Sequence, residues 1–159
     1  MKRLTTTLFI LFIVVSALGC HKETEQVRVK NVISEIQTAA EEKDLGKILK
    51  HLSKTYSDPQ GFNRENIKGL LLGYFFRYPR ISVYINNLDI SVDNTSARVM
   101  FRALLTSGKK TGSMADIIPQ SLGTYSFDIS LKKESNDWMV TSVKWTQVEM
   151  IESLKDDDS

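Results

Sequence analysis

Apolar residues recur at helical spacing through the first third of the chain after a short leader. Val29, Val32, Ile33, Ile36, Ala39 and Ala40 lie on one face of a long amphipathic helix. Glu42-Lys43-Asp44 interrupts that pattern, and Asp44 is suited to cap a second, shorter helix with Leu45, Ile48, Leu49 and Leu52 on one face. Ser57-Asp58-Pro59-Gln60-Gly61 is turn chemistry. Asn63 then predicts the N-cap of a third helix, with Glu65 favourable in its first turn. Its buried stripe is expected to be Ile67, Leu70, Leu71, Tyr74 and Phe75, and Tyr78-Pro79 ends it.

From Ile81 the period changes to two. Ile81, Val83 and Ile85 alternate, and Leu88, Ile90 and Val92 alternate in the opposite phase, so Asn86-Asn87 predicts a bulge or sharp bend. Asp93-Asn94-Thr95 turns the chain into Ala97, Val99, Phe101 and Ala103. A polar loop follows from about Ser107 to Ser121. Tyr125, Phe127, Ile129 and Leu131 alternate next, and Glu134 to Asp137 lead to a last strand with Trp138, Val140, Val143 and Trp145. Helices first and antiparallel hairpins after predict an α+β domain, its three helices packed on one face of a curved antiparallel sheet. The domain is expected over residues 25–149, with an acidic tail over 150–159.

The start of the chain has a different character. Lys2 and Arg3 precede the apolar run Leu8–Val15, and Ser16-Ala17-Leu18-Gly19-Cys20 follows. This is the pattern of a secretory signal over residues 1–19, with an apolar core about half the ~20 residues a membrane span needs. Ala17-Leu18-Gly19-Cys20 resembles the lipobox of bacterial lipoproteins. That resemblance implies cleavage before Cys20, acylation of its thiol and a short lipidated tether over 20–24. Ala17 and Leu18 depart from the usual residues there, whereas Gly19 and Cys20 match. His21 in place of Asp after the cysteine implies, by the same likeness, the outer membrane facing the periplasm. Buried acyl chains at ~0.8 kcal/mol per CH₂ make such an anchor lasting.

Processing also changes the charge. Of 159 residues, 21 are basic and 19 acidic; loss of Lys2 and Arg3 leaves 19 of each. A neutral domain lacks the cationic excess that nucleic-acid binding requires. One cysteine excludes an intrachain disulfide and a thiolate zinc cluster, so neither cofactor nor metal is expected.

The run Ala40-Glu41-Glu42-Lys43-Asp44-Leu45, then Leu52-Ser53, Tyr56 and Asp58-Pro59, resembles the helical half of the nuclear transport factor 2-like (cystatin-like, ketosteroid-isomerase-like) superfamily. Phe127-Asp128-Ile129-Ser130-Leu131, with Trp138-Met139-Val140 and Val143-Lys144-Trp145, resembles its final hairpin. The resemblance implies a cone whose bent sheet wraps the helices and leaves an apolar pocket at the open end. It includes isomerases, dehydratases, hydrolases and many non-enzymes, so fold leaves activity open. An isomerase of this kind needs an Asp base and two oxyanion donors. Asp58 matches the base position. The donor positions fall at Ile36 and at Gly123-Thr124, which carry neither Tyr nor Asp.

The expectation is therefore a non-enzymatic, membrane-anchored envelope module for a small apolar ligand or a protein partner, with dimerisation through the open sheet face also plausible on the resemblance. Its pocket is expected between the third helix and the concave sheet, walled by Leu71, Tyr74, Phe75, Tyr84, Phe101 and Phe127, with Tyr56 and Asp58 at the rim. The rivals are an isomerase or hydrolase using Asp58 as base, and an envelope assembly or maintenance factor. His51, off the apolar stripe, is expected to face solvent. Gly69 and Gly73 are expected to allow close packing on the sheet, and Arg98, Arg102 and Asp128 to form an exposed charge pattern.

Overall fold

A computed structural model describes residues 23–108 and 121–148. The leader, Cys20, most of the tether, the centre of the polar loop and the acidic tail lie outside the described residues. Helix α1 spans Glu25–Glu42, and Thr24 caps it by accepting from the Val27 amide. It stops at Lys43, whose φ of 59° is left-handed, and whose ammonium reaches the carbonyl of Tyr78 at 3.1 Å. Asp44 caps α2 (Leu45–His51) through the Lys47 amide, and Asn63 and Asn66 cap α3 (Arg64–Arg77) reciprocally. The starts of α2 and α3 fall where Asp44 and Asn63 predict them.

Four antiparallel strands follow in sequential order, β1 (Ser82–Asp93), β2 (Ser96–Thr106), β3 (Ser121–Glu134) and β4 (Asp137–Val148). Asn94 and Ser135, both at positive φ, sit in the two tight hairpins flanking β2 and β4. The expected bend in β1 is present. Asn86 pairs with Arg102 and Asp89 with Met100, so Asn87 and Leu88 together oppose Phe101. Asn87 takes φ 52°, and the extra residue bends the strand there. In β4, Thr141 is the extra residue between the Leu131–Val140 and Ser130–Ser142 pairs.

The concave face carries Val83, Ala97, Val99, Phe101, Ala103, Ile129, Leu131, Trp138 and Val140. They bury against Val29, Ile33 and Ala39 of α1 and Ile48 and Leu52 around α2. Burying each larger aliphatic contributes roughly 1.5–3 kcal/mol.

The helical segment pairs with both edges of the sheet. Gln37 donates to the Val83 carbonyl at 2.8 Å, Glu41 accepts from the Val83 amide at 2.9 Å, and Gln26 donates to the Ile90 carbonyl. On the far edge the Ser53 and Ser57 amides donate to the carbonyls of Val140 and Thr141, and Gln60 donates to that of Trp145.

Helix α3 departs from its expected pattern. Phe75 is buried and Ile67 and Leu71 are half-buried, but Leu70 and Tyr74 are exposed. The helix packs mainly along α2, so a narrower stripe is covered. Gly69 and Gly73 do not provide close packing on the sheet, because a Cβ at either position would meet nothing within 4 Å. His51 does not face solvent. Its side chain is 13 % exposed and Nε2 lies 3.0 Å from Glu35 on α1. Arg98 and Asp128 form the expected cross-strand pair, bidentate at 2.7 and 2.8 Å.

A further polar knot fastens the start of α1. Glu25 accepts from Lys133 at 2.8 Å, from the indole of buried Trp138 at 2.7 Å, and from Arg28 at 3.0 Å. Arg28 also donates to the Asn136 carbonyl. The hydrogen bond from Lys133, then that from Trp138, draws the Glu25 pKa from 4.5 to about 2. A depressed carboxylate pKa stabilises the fold above the unfolded value and stops doing so as pH falls through the folded one. Melting temperature should therefore decline between pH 4.5 and about 2, and Glu25→Gln should flatten that limb while lowering the plateau at pH 7. Thermal melts across that range check it; an unchanged acid limb in the variant would exclude Glu25 as its source.

Candidate functional site

The loop between α2 and α3 fixes the first candidate residues. Asp58 follows the Ser53–Ser57 segment paired to β4, and its side chain folds back over its own turn. One carboxylate oxygen accepts from the amides of Gln60 and Phe62, both at 2.9 Å; the other accepts from the Tyr56 hydroxyl at 2.9 Å. An Asp accepting two amides downstream is the local chemistry of an Asx turn. Gly61, at φ 87°, closes that turn with its amide on the Asp58 carbonyl. Tyr56 is 3 % exposed and belongs to the core, not to a rim. Burial, and then the bond to Asp58, pushes its phenol well above the usual range, while the Val143 amide donates to it from β4.

The second group is aromatic. Phe101 and Phe127, paired across β2 and β3, stack with centroids 5.1 Å apart. Tyr125 follows Phe127 along the same concave face, 6.3 Å away, and shares a hydrogen bond with Tyr74 of α3. Tyr74 in turn lies 6.0 Å from Tyr78. Desolvation raises the Tyr125 pKa, and the neighbouring tyrosines raise it further. On α3, Phe75 is buried and Leu71 is half-buried. The arrangement is a partly open lip where α3 meets the sheet. Tyr84 is not part of it. It pairs with Leu104, one residue out of phase with Ile85 and Ala103, and so lies on the outer face. Tyr78 and Tyr125 take the place that Tyr84 was expected to fill; the alternation of Tyr125 with Phe127 was the signal for one of them.

Two surface clefts lie elsewhere. One of about 310 Å³ is lined by Ser91, Arg98, Ser130 and Thr141 among others. Another of about 290 Å³ holds the His51–Glu35 pair with Arg28, Lys50 and Asp137. Neither is lined by any of the expected pocket residues. Among the described residues, no three His, Cys, Asp or Glu side chains are grouped to hold a metal. Ile36 packs against the core, and Gly123 stands at φ 125°.

No family model matches this sequence, and no curated protein matches it. Solved structures do. A protein from Bdellovibrio bacteriovorus, Bd1075, aligns with TM-score 0.62 at 14% identity over 77% of this chain, which spans 40% of that protein's length. A nuclear transport factor 2-like protein of unknown function from Pseudomonas putida aligns with TM-score 0.65 at 11% identity, covering 80% of this chain and 89% of that one. A protein from Novosphingobium aromaticivorans, provisionally named a scytalone dehydratase, aligns with TM-score 0.65 at 13% identity, covering 78% and 84%. Three helices with a four-stranded curved antiparallel sheet form the nuclear transport factor 2-like fold, as the sequence resemblance implied.

The Asp58 turn has a measurable weight. Tyr56→Phe removes the donor to Asp58 and leaves the Val143 amide without its acceptor, so it should cost about 1–3 kcal/mol. Asp58→Ala loses three accepted bonds and should cost at least as much. Urea denaturation of both variants checks this, and losses below about 0.5 kcal/mol would contradict it.

Proposed function

We propose that this chain is a cell-envelope lipoprotein whose domain serves as a non-enzymatic binding or accessory module. Its guest would be a small apolar molecule or an apolar segment of a protein partner, received at the Leu71–Tyr74–Tyr125–Phe127 lip. The observation that carries the non-enzymatic half is the state of Asp58. Both of its oxygens are occupied by the Tyr56 hydroxyl and the turn amides, and the carboxyl is 7 % exposed. A general base has to lie within hydrogen-bond reach of a substrate proton, and this carboxylate is buried and turned onto its own loop. Stabilisation of developing charge, usually the larger contribution, would need donors that Ile36 and Gly123 do not supply. Binding asks only for apolar walls and a few polar groups for orientation. The hydroxyls of Tyr74 and Tyr125 are such groups on an otherwise aromatic surface.

The anchoring half rests on the leader and on Gly19-Cys20. Lipid on Cys20 would hold the domain at the membrane through a tether too short to let it roam. The rival reading is an isomerase or hydrolase with Asp58 as general base. An envelope assembly or maintenance role would leave the lip unused.

Two measurements separate these readings. Cys20→Ala should abolish palmitate labelling and release the chain from the membrane fraction; undiminished labelling would end the anchoring proposal. Anilinonaphthalene sulfonate, as an apolar probe, should bind the parent and bind Tyr74→Ser several-fold more weakly, with little change in melting temperature because Tyr74 is 41 % exposed. Asp58→Asn should leave probe binding intact once corrected for folded fraction. An activity that disappears with Asp58→Asn in folded protein would establish the enzyme instead.

A further inference from the structure

Helix α3 carries a second, outward surface that the fold does not use. Gly69, Leu72, Gly73 and Phe76 fall at i, i+3, i+4 and i+7, which places them on one face. Phe76 is 95 % exposed and Leu72 50 %. Between them the two glycines form a shallow groove, since a Cβ at either would enter open space. A helix interior ordinarily disfavours glycine, and no neighbour among the described residues requires it here. Something other than the described residues must approach this backbone for the missing side chains to matter.

We infer that this face pairs with the same face of a second copy, the two α3 helices crossing antiparallel about Leu72 and Gly73. The surface is self-complementary in the way a two-fold contact demands. It holds a protruding ring and a groove on the same side. In the antiparallel arrangement Phe76 of each copy lies over Gly69 of the other, and small residues let the two backbones close together. The charges agree with that direction. Glu65 lies one turn before Gly69 on the same face, 72 % exposed, with only a 3.7 Å pairing to Lys68. It would then face the Arg77–Arg80 end of the second copy, where both side chains are exposed. A parallel arrangement would set Glu65 against Glu65 and the arginines against one another. A lipid surface would accept Phe76 and Leu72 but gives no reason for the glycines, because a bilayer interface favours bulky apolar side chains over a groove. Pairing through α3 leaves both the outer sheet face and the aromatic lip uncovered.

The test uses the full chain in a Cys20→Ala background, so that each chain carries one introduced thiol. Leu72→Cys, beside the two-fold axis, should form a disulfide-linked dimer under mild oxidation, and Met100→Cys on the outer sheet face should not. By sedimentation, Gly73→Leu and Phe76→Ser should each weaken dimerisation by roughly tenfold or more. The melting temperature of Gly73→Leu, measured at a concentration where the parent is monomeric, should not fall. Three outcomes would overturn the inference. One is cross-linking at Leu72→Cys no greater than at Met100→Cys. Another is a dimer that survives Gly73→Leu. The third is a parent that stays monomeric while its Phe76→Ser variant loses binding to phosphatidylethanolamine–phosphatidylglycerol vesicles.

Discussion

An open sheet of four strands leaves two rows of unpaired amides and carbonyls, and the rest of this molecule is arranged around satisfying them. Each such group left bare would invite another strand or cost the desolvation of a buried dipole. The helical segment meets both rows. Helix α1 runs beside β1 and offers Gln26, Gln37 and Glu41 to its backbone. The chain then crosses the concave face through α2 and lays Ser53–Ser57 against β4. Where β4 bulges at Thr141, the carbonyls of Val140 and Thr141 both find amides in that segment. Tyr56, Asp58 and Gln60 are therefore residues of an edge closure, and a catalytic reading has to compete with that duty.

This closure also explains why α3 is so little buried. By the time the chain leaves the Asp58 turn, α1 and α2 already cover most of the concave face. What remains for α3 is the open end, which it meets through Phe75 and the Tyr74–Tyr125 hydrogen bond. The aromatic lip is a product of that late arrival. Tyrosines suit it because each presents an apolar ring to the core and a hydroxyl to water.

Features written in neighbouring residues were legible in the sequence. Thr24 was not foreseen as a cap, but Asp44 and Asn63 were, and the phase change at Asn86-Asn87 announced the bulge. Asp58-Pro59-Gln60-Gly61 read as a turn and is one. Features that join distant segments were not. Glu25 meets Lys133 and Trp138 across more than a hundred residues, and His51 meets Glu35 from another helix. The apolar run Leu70–Phe76 surrounds its helix, so periodicity could not say which side would be covered. Tyr84 differs for a simpler reason. The alternation of Ile81, Val83 and Ile85 puts it on the outer face, since parity and not aromatic type decides which side a strand residue takes.

The bulge in β1 absorbs a single surplus residue. Before Asn86 the concave positions are the odd residues Val83 and Ile85; beyond Asp89 they are the even ones, Ile90 and Val92. Two residues facing Phe101 perform the switch. Losing Asn87 would leave one residue opposite Phe101, and Val83, Ile85, Leu88, Ile90 and Val92 would then alternate in a single phase towards the helices. The deletion would take away the bend and keep the pattern. Losing two residues there would instead throw Ile90 and Val92 onto the outer face. Asn86, Asn87 and Leu88 are all exposed, so this is the one stretch of β1 whose length can fall by a single residue without uncovering the core.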